Sequence, residues 1–500
     1  MFGRKRARGC LLAIGLALTG CAVGPDFERP AAPDVEGYAK DPLPAKTASA
    51  EVTGGEEQRF VRGLDIPGQW WTLFRSPSLN ALIEEALKNS PTLPAAQAAL
   101  RQAWENVYAA QGAFFPTVEG SFSPSRNKTA TGALSPASAS GNPYYALHTG
   151  QLTVTYAPDV FGGTRRQVES LVATAEAQRF ELEAAYLTLA SNVVAAAVQE
   201  ASLRVQIAAT EEIIKIETQA LGILRKQFEL GQVAMADVAA VEATVAQAQA
   251  TLPPLQKQLA VQRDLLTALI GRLPSQEPAE TFELASLQLP RDLPVSLPSK
   301  LVEQRPDVRS AEAQLHSASA AIGVATAAML PQFTLTANAG TASNAIGQFF
   351  MPPGTAFWSV AANVAQTLFD AGTLLHKKRA AEAAFDQAAA QYRSTVISAF
   401  QNVADALRAL QSDADALKVT YVAERVASRS LEIARRQLQL GAISYLGLLT
   451  AQNTYQTALI ALVQAQAARY ADSAALLQAL GGGWWNRADA APPKQWSVVP

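Results

Sequence analysis

The sequence R-K-Q-F-E-L-G at 225–231 returns as R-R-Q-L-Q-L-G at 435–441, 210 positions further along the chain. The same offset relates Gly271 to Gly481. Solenoid repeats have periods of about 20–50 residues, so this spacing is of another kind. The chain is therefore interpreted as a duplication of one domain-sized unit.

Each half has the same predicted order of elements: helix, strand, loop, strand, very long helix, turn and long helix. Apolar residues recur every seven positions in the very long helices, which predicts a coiled-coil-like structure. Glu200 alone interrupts the first register, whose other members are Tyr186, Val193, Ile207, Ile214, Leu221 and Phe228. Glu424 alone interrupts the second, whose other members are Val396, Val403, Leu410, Leu417, Leu431 and Leu438. A helix over 165–230 would be about 100 Å long.

A glycine follows each very long helix, Gly231 in the first half and Gly441 in the second, where a C-terminal cap belongs. Another helix begins shortly afterwards, and Ser444 is its predicted N-cap in the second half. Ala234 stands at the equivalent place in the first half, where we expect Asp237 to compensate through the helix dipole. Both turns are predicted to be tips of helical hairpins, near 231–237 and 441–447.

Four shorter segments alternate apolar and polar residues, near 116–126, 146–158, 331–340 and 357–367. This pattern is typical of a membrane barrel with its apolar side toward lipid, and also of a half-buried soluble sheet. Four strands cannot close a barrel, since about eight is the practical minimum. Open edges are not tolerated in lipid. Either the sheet is soluble, or several chains contribute to one barrel.

The N-terminus has the layout of a secretory signal peptide. Four basic residues precede an apolar run at 11–18, and L-T-G-C closes it at 18–21. The ending resembles the lipobox of bacterial lipoproteins, which implies cleavage before Cys21 and acylation of that residue. Ala22 follows instead of the Asp that retains lipoproteins in the inner membrane, so we expect sorting to the outer membrane. Cys21 is the only cysteine left after cleavage, which excludes a disulfide within the mature chain.

Composition and motifs argue against an enzyme. His148, His316 and His376 are scattered outside any metal-binding motif, and the sequence has no CxxC pair, phosphate-cradling loop or G-x-S-x-G elbow. No cofactor or metal is therefore expected beyond the covalent lipid on Cys21. A basic block or aromatic–basic interleaving is also absent, which excludes nucleic acid as a partner. No apolar stretch of 18 residues follows Cys21, so no transmembrane helix is predicted.

Several motifs stand in a fixed order along the chain. They are Gly24-Pro25-Asp26-Phe27, Trp70-Trp71-Thr72-Leu73-Phe74, Phe161-Gly162-Gly163, Glu303-Gln304-Arg305-Pro306-Asp307-Val308, Leu368-Phe369-Asp370-Ala371-Gly372, Ser444-Tyr445-Leu446 and Ala479-Leu480-Gly481-Gly482-Gly483-Trp484. The set resembles the outer-membrane factors, the TolC-like ducts, and specifically the lipoprotein branch that serves resistance–nodulation–division efflux systems. The likeness covers nearly all of the mature chain.

The resemblance implies a mixed fold, a membrane β-barrel joined to an α-helical barrel. Three protomers would each give four strands to a twelve-strand barrel and their long helices to a periplasmic tunnel, with an equatorial belt of terminal segments. A periplasmic adapter would meet the hairpin tips, and an inner-membrane pump would supply small molecules. The predicted divisions are a signal peptide at 1–20, a lipidated segment at 21–70, repeats at 71–290 and 291–484, and a tail at 485–500.

Two sets of candidate site residues lie near the tips. The candidates for the pore constriction are Asp237, Leu446, Gly447 and Thr450, although many relatives have Asp at the last two positions. The candidates for adapter contact are Gly231, Gly441, Ser444, Arg225 and Arg435. Each has a purely structural alternative: a helix-dipole partner for Asp237, packing for Leu446, capping for the glycines and salt bridges for the arginines.

Two other functions remain open at the level of sequence. A coiled-coil spacer that tethers the outer membrane to the cell wall would explain Cys21 and the heptads, but not the four strands or the duplication. A type I protein-secretion exit would differ from an efflux duct only in its partner. The transported substrate is not predicted.

Overall fold

The computed structural model describes residues 22–128, 144–350 and 354–488. The predicted signal peptide and Cys21 lie outside the described residues, as does most of the predicted tail. Among the described helices, none has the length and apolar character needed to cross a membrane.

The two halves of the chain have matching elements. The first half contains α1 Pro77–Asn89, α2 Thr92–Gln111, β2 Thr117–Lys128, β3 Tyr144–Tyr156, α3 Gly163–Glu229 and α4 Met235–Leu269. The second contains α5 Pro298–Gln304, α6 Pro306–Ala327, β5 Gln332–Ser343, β6 Ala356–Ala365, α7 Thr373–Gln439 and α8 Tyr445–Ala479. Two short strands, β1 Arg59–Arg62 and β4 Asp292–Val295, pair in parallel. Helices α3 and α7 each have 67 residues, and α4 and α8 each have 35.

The chain forms two compact units, and each takes residues from both halves of the sequence. Among the described residues, the first unit comprises 22–29, 100–128, 144–177, 311–350 and 354–392. The second unit comprises 30–99, 178–310 and 393–488.

A four-stranded antiparallel sheet in the order β2-β3-β5-β6 dominates the first unit. Its register places Val118 beside Val154, Val154 beside Ala337, and Ala337 beside Val360. The apolar positions of all four strands therefore share one face, as their alternation predicts. That face is open: Val118 is 68% exposed and Val360 is 74% exposed. Strands β2 and β6 lie at the edges of the sheet and have no outer neighbour in the described chain.

The heptad positions of the long helices are largely buried. Val193, Leu410 and Leu417 are fully enclosed, as the seven-residue spacing predicts. Phe228 departs from this pattern, because it is 42% exposed near the end of α3. The last register member enclosed by the core is Leu221, about two turns before the helix ends.

Glu200 interrupts the first heptad register because it forms a buried ion pair. Its Oε1 accepts hydrogen bonds from Arg204 Nε at 2.8 Å and from Arg263 Nη1 at 2.7 Å. Arg263 also donates to the Pro278 carbonyl oxygen at 2.6 Å. A buried carboxylate requires such a counter-charge. The polar residue in the apolar stripe therefore joins α3 to α4 and to the segment that follows α4.

Aromatic and basic motif residues hold the second unit together. Trp70 and Phe74 are fully buried. Arg305 donates to the Ala479 carbonyl oxygen at 2.8 Å and pairs with Asp307, so it caps the end of α8. Trp484 Nε1 donates to the carbonyl oxygen of Gln304 at 2.7 Å. The motif around 303–308 therefore binds the C-terminal end of the second repeat to the start of that repeat.

A buried arginine on α8 holds the N-terminal part of the second unit. Arg469 is 1% exposed and donates to the carbonyl oxygens of Gly54 and Glu56 and to Gln58 Oε1, all within 3.0 Å. Gln58 Nε2 in turn donates to Ser473 Oγ at 2.9 Å. Buried donors need partners of this kind. The segment around 54–58 is therefore fixed to α8, mainly through its backbone.

Candidate functional site

The two hairpin tips have the same backbone conformation. Gly231 and Gly441 have φ of +74° and +71°, a left-handed conformation that favours glycine. After α3, the Gln232 amide donates to the Gln227 carbonyl oxygen at 2.9 Å, and the Ala442 amide repeats this bond after α7. This arrangement is a Schellman cap. The predicted capping role of both glycines is present, and an added Cβ would meet nothing within 4 Å at either position.

The start of the second helix differs between the tips. Ser444 Oγ accepts from the Gly447 amide at 3.4 Å, so Ser444 is the N-cap of α8 as predicted. Ala234 has no such side chain, but Asp237 Oδ2 accepts from the Ala234 amide at 3.2 Å. Asp237 therefore provides one half of a capping box in addition to its charge near the helix N-terminus. Its exposed carboxylate leaves the predicted constriction role open.

The two hairpins pack against each other at their tips. Leu449 of α8 is buried in one cluster with residues of α3 and α4, namely Leu221, Leu224, Val238, Val241 and Val245. A smaller cluster joins Leu431, Ala434 and Leu448 within the second hairpin. Leu448 and Leu449 thus anchor the beginning of α8 from two sides.

The remaining constriction candidates occupy the opposite face of α8. Leu446 is 59% exposed, and Gly447 and Thr450 are also exposed. Thr450 Oγ1 donates to the Leu446 carbonyl oxygen at 3.0 Å, a local bond that a helix commonly accommodates. The packing alternative for Leu446 does not hold within the described chain, because its neighbours Leu448 and Leu449 do the packing. The constriction role of these three residues stays a prediction.

The two tip arginines have different surroundings. Arg225 donates through Nε and Nη2 to Glu242 Oε1, with the shorter distance 2.6 Å, and so bridges α3 and α4. Arg435 forms no ion pair with a carboxylate in the part of the chain that the structure describes. Gln452 stands at the position equivalent to Glu242, and its buried amide has no hydrogen-bond partner within the described residues. Adapter contact by either arginine stays a prediction.

Two exposed leucines at the tips were missed from the sequence. Leu230 and Leu440 immediately precede the capping glycines and are among the most exposed apolar side chains of the chain. They occupy equivalent positions in the R-K-Q-F-E-L-G and R-R-Q-L-Q-L-G segments. The repetition of a leucine directly before Gly231 and Gly441 was the sequence feature that could have identified them. Each tip therefore presents an exposed leucine directly before its capping glycine, and there is open space around that glycine.

Two carboxyl groups in the helical unit have perturbed pKa values. Glu217 on α3 is fully buried, neither of its oxygens has a partner among the described residues, and burial raises its pKa to about 7. Burial and a hydrogen bond with Asp413 raise the pKa of Asp472 to about 7 as well. A carboxyl group kept from water holds its proton more strongly. Neither group was predicted from the sequence.

In the first unit, the segment that follows Cys21 is fixed to α3. The Val23 amide donates to the Phe161 carbonyl oxygen at 3.0 Å. Arg166 donates to the Val23 carbonyl oxygen at 3.2 Å and to Asp26 Oδ1 at 2.6 Å. Gly24 has a φ of +97°, and a Cβ there would collide with the backbone of Gly323. The Gly24-Pro25-Asp26-Phe27 motif is therefore a docking segment, and Arg166 is its main anchor.

A second set of contacts holds the same segment to α6. The Phe27 ring stacks on His316 with 4.4 Å between ring centroids. His316 Nε2 lies 2.9 Å from Glu169 Oε1, and Glu169 Oε2 accepts from Arg166 at 2.8 Å. His316 is thus a structural residue that holds the docking segment.

Residues 82–272 and 297–482 match the family model described as outer membrane efflux protein. The chain belongs to this family. It is therefore a component of a transport channel and not an enzyme, as the sequence predicts. The resemblance to TolC-like ducts is confirmed, and the spacer hypothesis is wrong. The family also accounts for the mainly helical fold with few strands.

Named relatives match the chain over almost its whole length. It is 28% identical over 479 residues to the pyoverdine export outer membrane protein OpmQ of Pseudomonas putida, covering 95% of this chain and 97% of that protein. It is 28% identical over 477 residues to the cation efflux system protein CusC of Escherichia coli, covering 94% and 97%. The open state of the Neisseria gonorrhoeae MtrE outer membrane channel is similar in structure, with a TM-score of 0.77 at 26% identity, covering 93% of this chain and 99% of MtrE.

Proposed function

We propose that three copies of this chain form the outer-membrane exit duct of a tripartite efflux system. The observation that carries the proposal is the four-stranded sheet, with one apolar, exposed face and two open edges, β2 and β6. Unpaired backbone groups at such edges are costly in lipid. Pairing β6 of one copy with β2 of the next would remove both edges, and three copies would give twelve strands, enough to close a barrel. The resulting channel would deliver small molecules to the exterior.

The long helices would form the periplasmic part of the duct. Helices α3 and α7 have 67 residues each, which corresponds to about 100 Å of helix. Three copies of α3, α4, α7 and α8 would provide the wall of a tunnel. The contacts of Arg469 with the segment around 54–58 support a belt of terminal segments around those helices.

Covalent lipid on Cys21 would add an anchor in the outer membrane. The docking of Val23 and Asp26 on Arg166 supports this, because it fixes the segment that directly follows Cys21. The lipid anchor and the apolar face of the sheet would act together.

The partners would be a periplasmic adapter at the tips and an inner-membrane pump of the resistance–nodulation–division type. The open space beside Gly231 and Gly441, with the exposed Leu230 and Leu440, supports docking at the tips. We favour efflux over protein secretion because relatives are named for pyoverdine export and cation efflux. The two relatives have the same sequence identity to this chain, 28%, but are named for different cargoes. We therefore infer that the pump, and not the duct, selects the substrate.

Electrophoresis and single-channel recording test the proposal. The purified full-length protein should migrate as a detergent-resistant trimer that dissociates on heating, and it should give discrete current steps in planar bilayers. A monomer without conductance would contradict a trimeric duct. Deleting its gene should sensitise the host to compounds exported by the neighbouring pump, and plasmid-borne protein should restore resistance.

A further inference from the structure

We propose that Lys377 and Arg379, with His376 beside them, bind the phosphate groups of anionic phospholipids in the membrane leaflet that faces the periplasm. We call these three residues the basic cluster. The inference rests on the proposed function, because it assumes that the apolar face of the sheet lies in the outer membrane. It adds a lipid class and a binding site to that function.

The position of the basic cluster follows from the chain between β6 and α7. The apolar face of β6 ends with Val364, and Leu368 and Phe369 follow with 92% and 88% of their surfaces exposed. Helix α7 then begins at Thr373. Along the chain, apolar strand residues come first, then a pair of large apolar residues, and then basic residues. This is the order expected for a segment that leaves the hydrocarbon core, crosses the interface and reaches the lipid headgroups.

The distances agree with this order. Lys377 and Arg379 lie about 6 Å and 9 Å along the axis from the start of α7, at about 1.5 Å per residue. The headgroup region on each side of a bilayer is about 5–8 Å thick. If the helix begins near the hydrocarbon boundary, long lysine and arginine side chains in its second turn can reach the phosphate layer.

The chain does not neutralise the basic cluster. All three residues are exposed, and none of them forms an ion pair with a carboxylate in the described part of the chain. Asp370 is close in sequence, but its oxygens accept from the amides of Gly372 and Leu374 and cap the helix. Both cations are therefore available to a counter-charge from outside the protein.

Other basic residues of the same unit form ion pairs with carboxylates of the chain. Near the start of α3, Arg165 pairs with Asp159 at 3.2 Å and Arg166 pairs with Asp26 at 2.6 Å. Within the second repeat, Lys378 pairs with Glu382 at 3.2 Å. Lys377 and Arg379 therefore differ from adjacent basic residues of the same unit, and Lys378 is a matched control.

The ligand of the basic cluster is inferred to be a phospholipid surface, because positive charge and exposed apolar side chains lie next to each other in the chain. Leu368 and Phe369 precede the basic cluster in sequence and present apolar surface that a soluble anion would not cover. A leaflet containing anionic lipid offers both acyl chains and phosphate.

Native mass spectrometry of the full-length protein tests the site. Wild type is titrated with phosphatidylglycerol and, separately, with phosphatidylcholine of the same acyl chains. We expect tighter binding of phosphatidylglycerol, and K377Q/R379Q should lose most of that preference, at about five-fold per neutralised charge. K378Q and the charge-conserving K377R/R379K should retain it. Raising the salt concentration should weaken the preference of wild type.

Three results would overturn the inference: equal binding of the two lipids by wild type, an unchanged preference in K377Q/R379Q, or an equal loss in K378Q. Conductance of the wild type in pure phosphatidylcholine bilayers separates this failure from that of the proposed function. Channels in those bilayers together with no lipid preference would reject only the basic cluster. Absence of channels in every bilayer would reject the duct itself.

Discussion

Arg225 Nη2 lies 2.6 Å from Glu242 Oε1 and bridges the two helices of the first hairpin, whereas Gln452 replaces that carboxylate in the second hairpin. The two hairpin tips of the chain therefore differ. The first hairpin has an interhelical ion pair and a half capping box at Asp237. The second has a serine cap, an unpartnered buried amide and Arg435 without a carboxylate partner in the described chain. In a trimer, the two kinds of tip would alternate around the axis.

This asymmetry predicts different effects of the two arginines. We expect Arg435→Gln to weaken binding of the cognate adapter more than Arg225→Gln, because Glu242 already engages Arg225. Both variants should change the free energy of unfolding by less than about 1 kcal/mol, since exposed ion pairs contribute little. Dissociation constants measured at low and high salt check this. Glu242→Gln is the control, because it frees Arg225. A larger loss with Arg225→Gln would contradict the interpretation.

Substitutions of the tip glycines can distinguish the effect of side-chain size from the effect of backbone strain. Gly231→Ala and Gly231→Trp impose a similar penalty at positive φ, about 1–2 kcal/mol. Neither added Cβ meets another atom of the chain within 4 Å. If the adapter docks at the tips, Trp should abolish drug resistance and Ala should only reduce it, with trimers intact in both; the same is expected at Gly441. Equal resistance in the Ala and Trp variants, measured by minimum inhibitory concentration, would rule out close docking.

Periodicity predicted the elements of this fold well. The seven-residue spacing from Tyr186 to Phe228 indicated one continuous helix, and period two in Val118, Gly120 and Phe122 indicated a strand with one apolar face. Both patterns place apolar side chains on one face of a regular element. The two compact units could not be predicted, because each combines segments that are distant in sequence.

The local chemistry of the site was harder to predict. The glycine caps and Ser444 followed from residue type, since few residues can fill those positions. The bond from the Ala234 amide to Asp237, the ion pair between Arg225 and Glu242 and the burial of Glu217 depend on how helices face each other. Residue spacing within one helix does not specify those contacts.

The constriction candidates can be tested by conductance. We expect Leu446→Ser combined with Asp237→Ala to raise the single-channel conductance of the purified trimer. Asp237→Ala also removes the acceptor for the Ala234 amide, which costs about 1 kcal/mol and can fray the tip. Asp237→Asn keeps an acceptor and removes the charge, so it isolates the electrostatic effect. Unchanged conductance in both combinations would remove these residues from the constriction.

Glu217 predicts a pH dependence of stability. Burial raises its folded-state pKa from 4.5 to about 7, so the folded chain keeps a proton that the unfolded chain has lost between those values. Stability should therefore fall as pH rises from about 4.5 to 7, and the loss should be complete above pH 7. Glu217→Gln should raise the free energy of unfolding at pH 8, by roughly 1–3 kcal/mol, and change it little near pH 4.

Denaturant titrations at several pH values check this, and the exposed Glu211→Gln on the same helix is the control. Asp472 has its pKa raised in the same direction, and Asp472→Asn should act with the same sign. If Glu217→Gln has the same free energy of unfolding as wild type at pH 8, the Glu217 carboxylate is accessible to water and the interpretation is wrong.

The orientation of the sheet can be decided with one pair of neighbouring residues on β6. Trp358 lies on the apolar face and is 78% exposed, whereas Ser359 lies on the polar face and accepts from Asn338 Nδ2 at 3.3 Å. An arginine facing lipid near the middle of a bilayer costs about 2–4 kcal/mol, and one facing a water-filled interior costs little. Trp358→Arg should therefore lower the yield of heat-modifiable trimer in vesicles, and Ser359→Arg should leave it near wild type. Because both variants add the same charge to the same strand, an equal yield would mean that neither face meets lipid.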